Sequence, residues 1–217
     1  KIAIVPYYAS KNAYVIENWS TRLLRLLGKK VILVVHGGTI PSRIRSNPQK
    51  YLKVLNRVDV VVSPSPYLQY ELGKYGIDCE VIENVVKLSD YEYIAKEKLQ
   101  PRLLWMRALQ YIYYPEMAIK VLAGLKNIYP QATLVMAGKD MGLLDKVKEL
   151  SIQLNVEDSV TFAGYVHTNE KTELAKNTDV YICTNRLDNA PVTFIEMMTL
   201  GLPVVSVKVG GIPYIVK

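Results

Sequence analysis

The chain has 217 residues, 50% of them hydrophobic, and a formal net charge of +7. That is enough apolar matter for one large domain or two small ones, and it excludes a bilayer-spanning run, because no apolar segment is long enough. Two cysteines, Cys79 and Cys183, stand far apart in strand-like runs. No framework of bridges or metal ligands follows from them, and reduced thiols in a cytoplasmic protein are the expectation.

The charge is uneven. Residues 1–100 hold 15 Lys/Arg against 9 Asp/Glu, whereas 101–217 hold 12 against 11. Between Asn18 and Val58 there are nine cations and no acid. A solvated face is the ordinary explanation of such a run. The functional one is attraction to anionic lipid or a phosphorylated acceptor, each cation adding about 1 kcal/mol near an anionic membrane. Nucleic acid is disfavoured, since no binding module or aromatic-basic pattern accompanies the charge.

Lys1 to Tyr8 reads as a buried strand, so no signal peptide is visible at the N-terminus. In a doubly wound fold the first strand leads through a glycine-containing loop to a helix. Here Ala9, Ser10 and Lys11 lead instead to a second strand-like run, Ala13 to Ile16. A helix over Trp19–Leu27 closes at Gly28, a strand follows over Lys30–Val35, and His36-Gly37-Gly38 comes after it. Arg43–Val58 reads as helical after Pro48, Val58–Val62 as a strand, Ser65–Tyr75 as a helix ended by Gly76, and Cys79–Ile82 as a further strand. Lys87–Gln100 is polar with no apolar period and reads as an interdomain linker, which divides the chain into domains 1–98 and 99–217.

From Pro101 onward strands and helices alternate. Strands are expected at Arg102–Met106, Ala132–Ala137, Ser159–Ala163 and Asp179–Cys183, and helices at Pro115–Ile128, Gly142–Leu154 and Thr168–Lys176. Such alternation predicts a parallel sheet with helices on both faces. Ligands of such sheets bind outside the carboxyl ends of the strands. Arg107, Gly138, Gly164 with Tyr165, and Asn185 to Asp188 all fall there.

The most informative stretch is DNAPVTFIEMMTLGLPVVSVKVGGIP, Asp188 to Pro213. It reads as a loop, a helix, a strand and a Gly-Gly turn. Pro191 suits the first helical position, where its missing N–H has no intrahelical partner anyway, which makes Ala190 the N-cap. Ala190 has no side-chain acceptor for the amides of Val192 and Thr193, so an anionic ligand is suited to that helix end. Val192, Phe194, Ile195, Met197, Met198 and Leu200 lie all round the helix and predict its burial. Glu196 in their midst then requires a partner. Each part has a plain alternative: Glu196 paired with a lysine, Asp188 or Asn189 capping the helix, Gly210-Gly211 as a simple turn.

Together these parts resemble the acid-x7-acid signature of the retaining GT-B glycosyltransferases (glycosyl transferases group 1, family 4), followed by that family's G-L-P-V-V and G-G-I-P segments. The family usually has Glu at both ends, and here the first acid is Asp188. The first half resembles the family's acceptor-side domain at VILVVHGG, D-V-V-V-S-P-S-x-Y-L and V-I-x-N. The resemblance implies an α/β GT-B fold, two Rossmann-like domains whose parallel sheets face across a cleft, with the N-terminal one abridged.

The resemblance further implies transfer of a sugar from a nucleoside diphosphate to an acceptor hydroxyl of a glycan or a lipid-linked molecule, with anomeric configuration retained and no bound metal or other cofactor. His36 matches the histidine that approaches the transferred sugar, Arg107 the diphosphate-binding arginine, Asp188 a ligand of sugar hydroxyls and Glu196 a ligand of ribose hydroxyls. Gly138 and the loop Asn189, Ala190, Pro191 fall with the donor site, and the backbone at Gly164–Tyr165–Val166 with the base. Many relatives carry a lysine shortly after that arginine, and the segment Ala108 to Pro115 here has none. The glycine-rich loop expected between Ser10 and Asn12 and the last elements beyond Lys217 are also missing, so the chain reads as an abridged form of a longer enzyme. The rival is a non-catalytic nucleotide-sugar-binding or partner-binding module on the same fold.

Overall fold

The computed structural model describes residues 1–10 and 12–216. The sequence reading at Lys11 and Lys217 lies outside the described residues. Chain contacts divide the molecule into two units. The first comprises Lys1–Asn84 with Leu187–Ala190 and Gly210–Lys217, and the second Val85–Arg186 with Pro191–Val209.

The first unit contains β1 (Ile2–Tyr7), α1 (Ala13–Leu26), β2 (Lys30–Val35), α2 (Ile40–Ser46), α3 (Pro48–Leu55), β3 (Val60–Ser63), α4 (Pro66–Gly73) and β4 (Glu80–Val81). Its four strands form one parallel sheet in the order β1-β2-β3-β4. Val31, Leu33 and Val35 alternate inward along β2 and meet Val5 and Tyr7 of β1 and Leu68 and Leu72 of α4 in one core. The expected helix starts at Pro48 and ends at Leu55, and a separate helix, α2, precedes it. Asn47 stands between them in a non-helical conformation, its side chain accepting from the Lys50 amide, and Pro48 starts α3.

The strand expected at Ala13 to Ile16 is the first turn of α1. The branched and aromatic residues suggested a strand because they do not alternate with polar ones. In the fold this helix is inverted. Glu17 and Thr21 are buried, while Ile16, Trp19, Leu23 and Leu26 are exposed, Leu26 by 84%. Polar bonds hold it in place. The Glu17 carboxylate accepts from the amides of Tyr8 at 2.8 Å and Ala9 at 3.1 Å, and Arg57 Nη1 donates to Asn18 O, Asn18 Oδ1 and Thr21 Oγ1.

The second unit contains β5 (Arg102–Met106), α5 (Pro115–Lys126), β6 (Thr133–Ala137), α6 (Leu144–Gln153), β7 (Val160–Gly164), α7 (Thr168–Asn177), β8 (Val180–Cys183), α8 (Val192–Thr199) and β9 (Val204–Ser206). The sheet is parallel, in the order β7-β6-β5-β8-β9. The chain builds outward from β5 through β6 to β7 and then returns to β8 on the other side of β5. Beside β5 is therefore the topological switch point, where such folds leave a crevice for ligands. Trp105 of β5 is fully buried and its Nε1 donates to Thr184 Oγ1 at 2.9 Å, which ties β5 to the end of β8.

The linker expected at Lys87–Gln100 is docked on the second unit. The Tyr91 hydroxyl donates to Glu196, the Ile94 amide to Leu200 O, and Lys96 Nζ to Lys176 O. A Cβ on Gly201, whose φ is +91°, would lie 2.6 Å from Ile94 O, so glycine is what admits the linker there.

Candidate functional site

Within the second unit, the loops at the carboxyl ends of β5, β6 and β7 line an open cavity of about 290 Å³ with α7 and α8. Arg107 follows β5 and lines it, its guanidinium 5.1 Å from the Tyr113 ring centre. Gly138 follows β6 and also lines it. A Cβ there would lie 1.8 Å from Arg107 O, so only glycine lets the two strand ends approach this closely. Its amide donates to Gly164 O at 2.6 Å, which aligns the ends of β6 and β7. Tyr165 and Val166 also line it, and Tyr165 is largely exposed.

Helix α8 presents Thr193 to the same cavity. Its N-cap is Pro191, in an extended conformation, rather than Ala190. A proline ring fixes φ near −65° and leaves ψ free, so Pro191 sits just outside the helix here instead of opening it. No side chain caps the helix, and while the Phe194 amide donates to Pro191 O, those of Val192 and Thr193 remain suited to an anion. Burial is one-sided: Phe194, Glu196 and Met197 are buried, whereas Val192 and Met198 are exposed. That corrects the expectation of a helix enclosed all round.

Glu196 is 6% exposed and fully engaged. Lys171 Nζ, from the first turn of α7, donates to Oε1 at 2.7 Å and Oε2 at 2.9 Å, and the Tyr91 hydroxyl donates to Oε1 at 2.7 Å. Burial, and then the adjacent Glu196 carboxylate, pushes the Tyr91 hydroxyl up to about 12, so it stays a donor at neutral pH. The carboxylate itself does not line the cavity; Lys171 does. Lys171 and Tyr91 were not singled out from the sequence. The requirement that a buried acid be paired was legible, but these partners lie 25 and 105 residues away.

The remaining candidates lie in the first unit. His36 follows β2, is exposed, and stacks on Tyr8 with ring centres 5.8 Å apart. Its carbonyl accepts from Asn189 Nδ2 at 3.4 Å, so the loop carrying Asp188 and Asn189 rests on the strand end that carries His36. Asp188 Oδ1 accepts from the Asn189 amide at 2.8 Å, and Ala190 O accepts from Asn84 Nδ2. Gly210 and Gly211 are more than a turn. A Cβ on Gly210 would lie 2.0 Å from Asp188 O, and one on Gly211 1.7 Å from Asn189 O. Two glycines thus pack backbone to backbone against the Asp188 loop, and the Gly211 amide donates to Asp188 O.

Comparison with known proteins agrees with this architecture. The first unit's sheet and the second unit's switch-point crevice define a GT-B fold. Anabaena HepE in complex with UDP superposes with a TM-score of 0.79 at 19% identity, over 99% of this chain and 62% of that one. Sucrose-phosphate synthase from Thermosynechococcus elongatus gives a TM-score of 0.80 at 17% identity, over 99% and 57%. The family profile for Glycosyl transferases group 1 matches residues 92–217, and the chain belongs to that family. Over 190 residues it is 27% identical to alpha-monoglucosyldiacylglycerol synthase of Streptococcus pneumoniae, covering 79% of this chain and 42% of that protein. Over 98 residues it is 29% identical to mannosylfructose-phosphate synthase of Agrobacterium fabrum, covering 45% and 20%. The chain spans less than two thirds of the length of each of these proteins.

Proposed function

We propose that the protein is the nucleotide-sugar-binding part of a retaining glycosyltransferase, with the donor nucleotide in the cavity of the second unit. The observation that carries this reading is the convergence of Arg107, Lys139, Lys171 and Thr193 on one cavity at the switch point of the sheet. In the proposed reaction an acceptor hydroxyl oxygen bonds to the anomeric carbon as the bond from that carbon to the diphosphate breaks. The electron pair leaves on the diphosphate, and the acceptor proton passes to one of its oxygens. Negative charge therefore builds on the phosphate as positive charge builds on the sugar. Fixed cations and helix amides around the leaving group are what such a step needs. Arg107 supplies a planar fork for phosphate oxygens. Tyr165 and the backbone beside it receive the base, Asp188 the sugar hydroxyls, and His36 approaches the transferred sugar; Glu196, engaged by Lys171 and Tyr91 and absent from the cavity lining, is not given the ribose. The HepE neighbour was solved with UDP, so UDP-sugars head the candidate donors.

A thermal-shift panel with UDP-, GDP- and ADP-sugars, on the wild type and Arg107→Ala, tests the reading, because a ligand that binds only the folded state raises Tm by mass action. The expected result is a shift with one nucleotide class that shrinks in the variant. A flat panel would remove the nucleotide-sugar reading and favour a partner-binding module on the same fold.

For the acceptor side, the first unit supports contact with an anionic membrane surface carrying a lipid-linked acceptor. Helix α1 turns Trp19, Leu23 and Leu26 outward beside Arg22, Arg25 and Arg57, the pairing of apolar face and cations that binds an interface. No described helix is long and apolar enough to cross a membrane. Sedimentation with phosphatidylglycerol vesicles, weakened by salt and by Trp19→Ser, is the expected result. Equal sedimentation with phosphatidylcholine vesicles, or none with either, would count against it.

A further inference from the structure

The sequence leaves one charge unaccounted for: between Arg107 and Pro115 there is no cation to share the diphosphate. In the structure a cation reaches the same cavity from another element. Lys171 stands in the first turn of α7, its side chain 20% exposed, and lines the cavity with Arg107 and Lys139. No carboxylate is among the described lining residues. Glu196 pairs with the lysine without lining the cavity.

The geometry of that pair matters. An ammonium has three donors. Two of them fit Glu196 Oε1 and Oε2, and Tyr91 steadies the same carboxylate from the linker. The third is left for the cavity. A lysine held at two points by a buried acid loses little rotamer freedom on binding a ligand, because its orientation is already fixed. We propose that Lys171 contacts the diphosphate of the donor, supplying from α7 the cation that the segment after Arg107 lacks, with Glu196 and Tyr91 as its positioning residues. The inference rests on the donor-binding reading above.

The test compares nucleoside diphosphates with their nucleosides: UDP with uridine, GDP with guanosine, ADP with adenosine, titrated by NMR into the wild type, Lys171→Gln and Lys171→Arg. Loss of a diphosphate contact weakens the favoured diphosphate at least tenfold in Lys171→Gln and leaves its nucleoside within twofold. Lys171→Arg, which keeps the charge, stays within about threefold of the wild type for both. In the wild type, the Lys171 ammonium ¹⁵N resonance, identified by its absence in Lys171→Arg, shifts with the diphosphate and stays put with the nucleoside. This reading is independent of whether Lys171→Gln folds. Equal weakening of diphosphate and nucleoside, or an ammonium resonance that ignores the diphosphate, would overturn the proposal and leave Lys171 as a structural partner of Glu196. If the wild type binds none of the three diphosphates, the donor-binding reading itself fails, a different result from a wild type that binds while Lys171 is indifferent.

Discussion

In the first unit, the amides that leave β1 are filled from within. Ala9 turns with φ +52°, its own amide and that of Tyr8 point one way, and the Glu17 carboxylate of α1 occupies them. Successive amides of this kind form an anion-binding concavity, and here the anion is part of the chain. In the second unit, the end of β5 opens onto a cavity lined by Arg107, Lys139 and Lys171, and the buried acid beside it, Glu196, is held back by a lysine and a tyrosine. Both units bury one glutamate in the middle of a helix. In one it is the ligand of the strand–helix turn, and in the other it orients a cation toward a cavity. A buried carboxylate is therefore read by what donates to it: backbone amides mark a structural role, a cavity-lining cation a binding one.

If that distinction is sound, the largest single effect comes from Glu17→Ala. It leaves one buried amide, that of Ala9, and one part-buried amide, that of Tyr8, without an acceptor, each costing about 1–3 kcal/mol. The expected loss is about 3 kcal/mol of first-unit stability in urea denaturation, with nucleotide affinity within twofold of the wild type. In the second unit, Lys171→Met strands the Glu196 carboxylate and costs about 2–3 kcal/mol, toward the low end for breaking a buried pair because the lysine is partly exposed. Adding Glu196→Gln is expected to restore at least half of that stability. No such rescue is expected at Glu17, where the partners are backbone. Arg107→Ala comes next. It lowers affinity for the favoured nucleoside diphosphate about 30-fold, the loss of one charge-assisted contact worth about 2 kcal/mol, with little change in urea midpoint.

The smallest effect is that of Tyr91→Phe, about 1 kcal/mol for one hydrogen bond to a carboxylate that keeps its lysine. Its pH dependence carries a definite sign. The Tyr91 hydroxyl is raised from an ordinary 10.0 to about 12 in the folded protein. Stability from a raised group is fully present below the unfolded value and is lost as pH rises through the folded one. The gap between wild type and Tyr91→Phe should hold steady up to pH 10 and close between pH 10 and 12. A gap that widens over that range would show that Tyr91 does not act as the donor to Glu196.

The second unit was legible because its strands and helices alternate with turn residues at nearly every boundary, so Arg107, Gly138 and Tyr165 could be placed at strand ends from pattern alone. The first unit was less so. Ala13-Tyr14-Val15-Ile16 carries the branched and aromatic residues of a strand, and what makes it a helix is tertiary: the Glu17 side chain is drawn inward by the backbone amides of Tyr8 and Ala9, a bond that no residue-type pattern announces, and Thr21 by Arg57, 36 residues away. The same limit applies at the site. That Glu196 needed a partner followed from burying a charge. That the partner would be Lys171, and would itself face the cavity, depends on how α7 packs beside α8. The glycines 210 and 211 show the converse case. Their presence was plain, but the contact that requires them, the backbone of Asp188 and Asn189, appears only in the fold.

The most direct measurement is a crystal structure of the chain soaked with UDP. The account predicts diphosphate density in the cavity at the carboxyl end of β5, within hydrogen-bond distance of Arg107, Lys171 and the Val192 and Thr193 amides, with the Lys171–Glu196 pair intact. UDP bound elsewhere, or bound here with its phosphates turned away from Arg107 and Lys171, would contradict it.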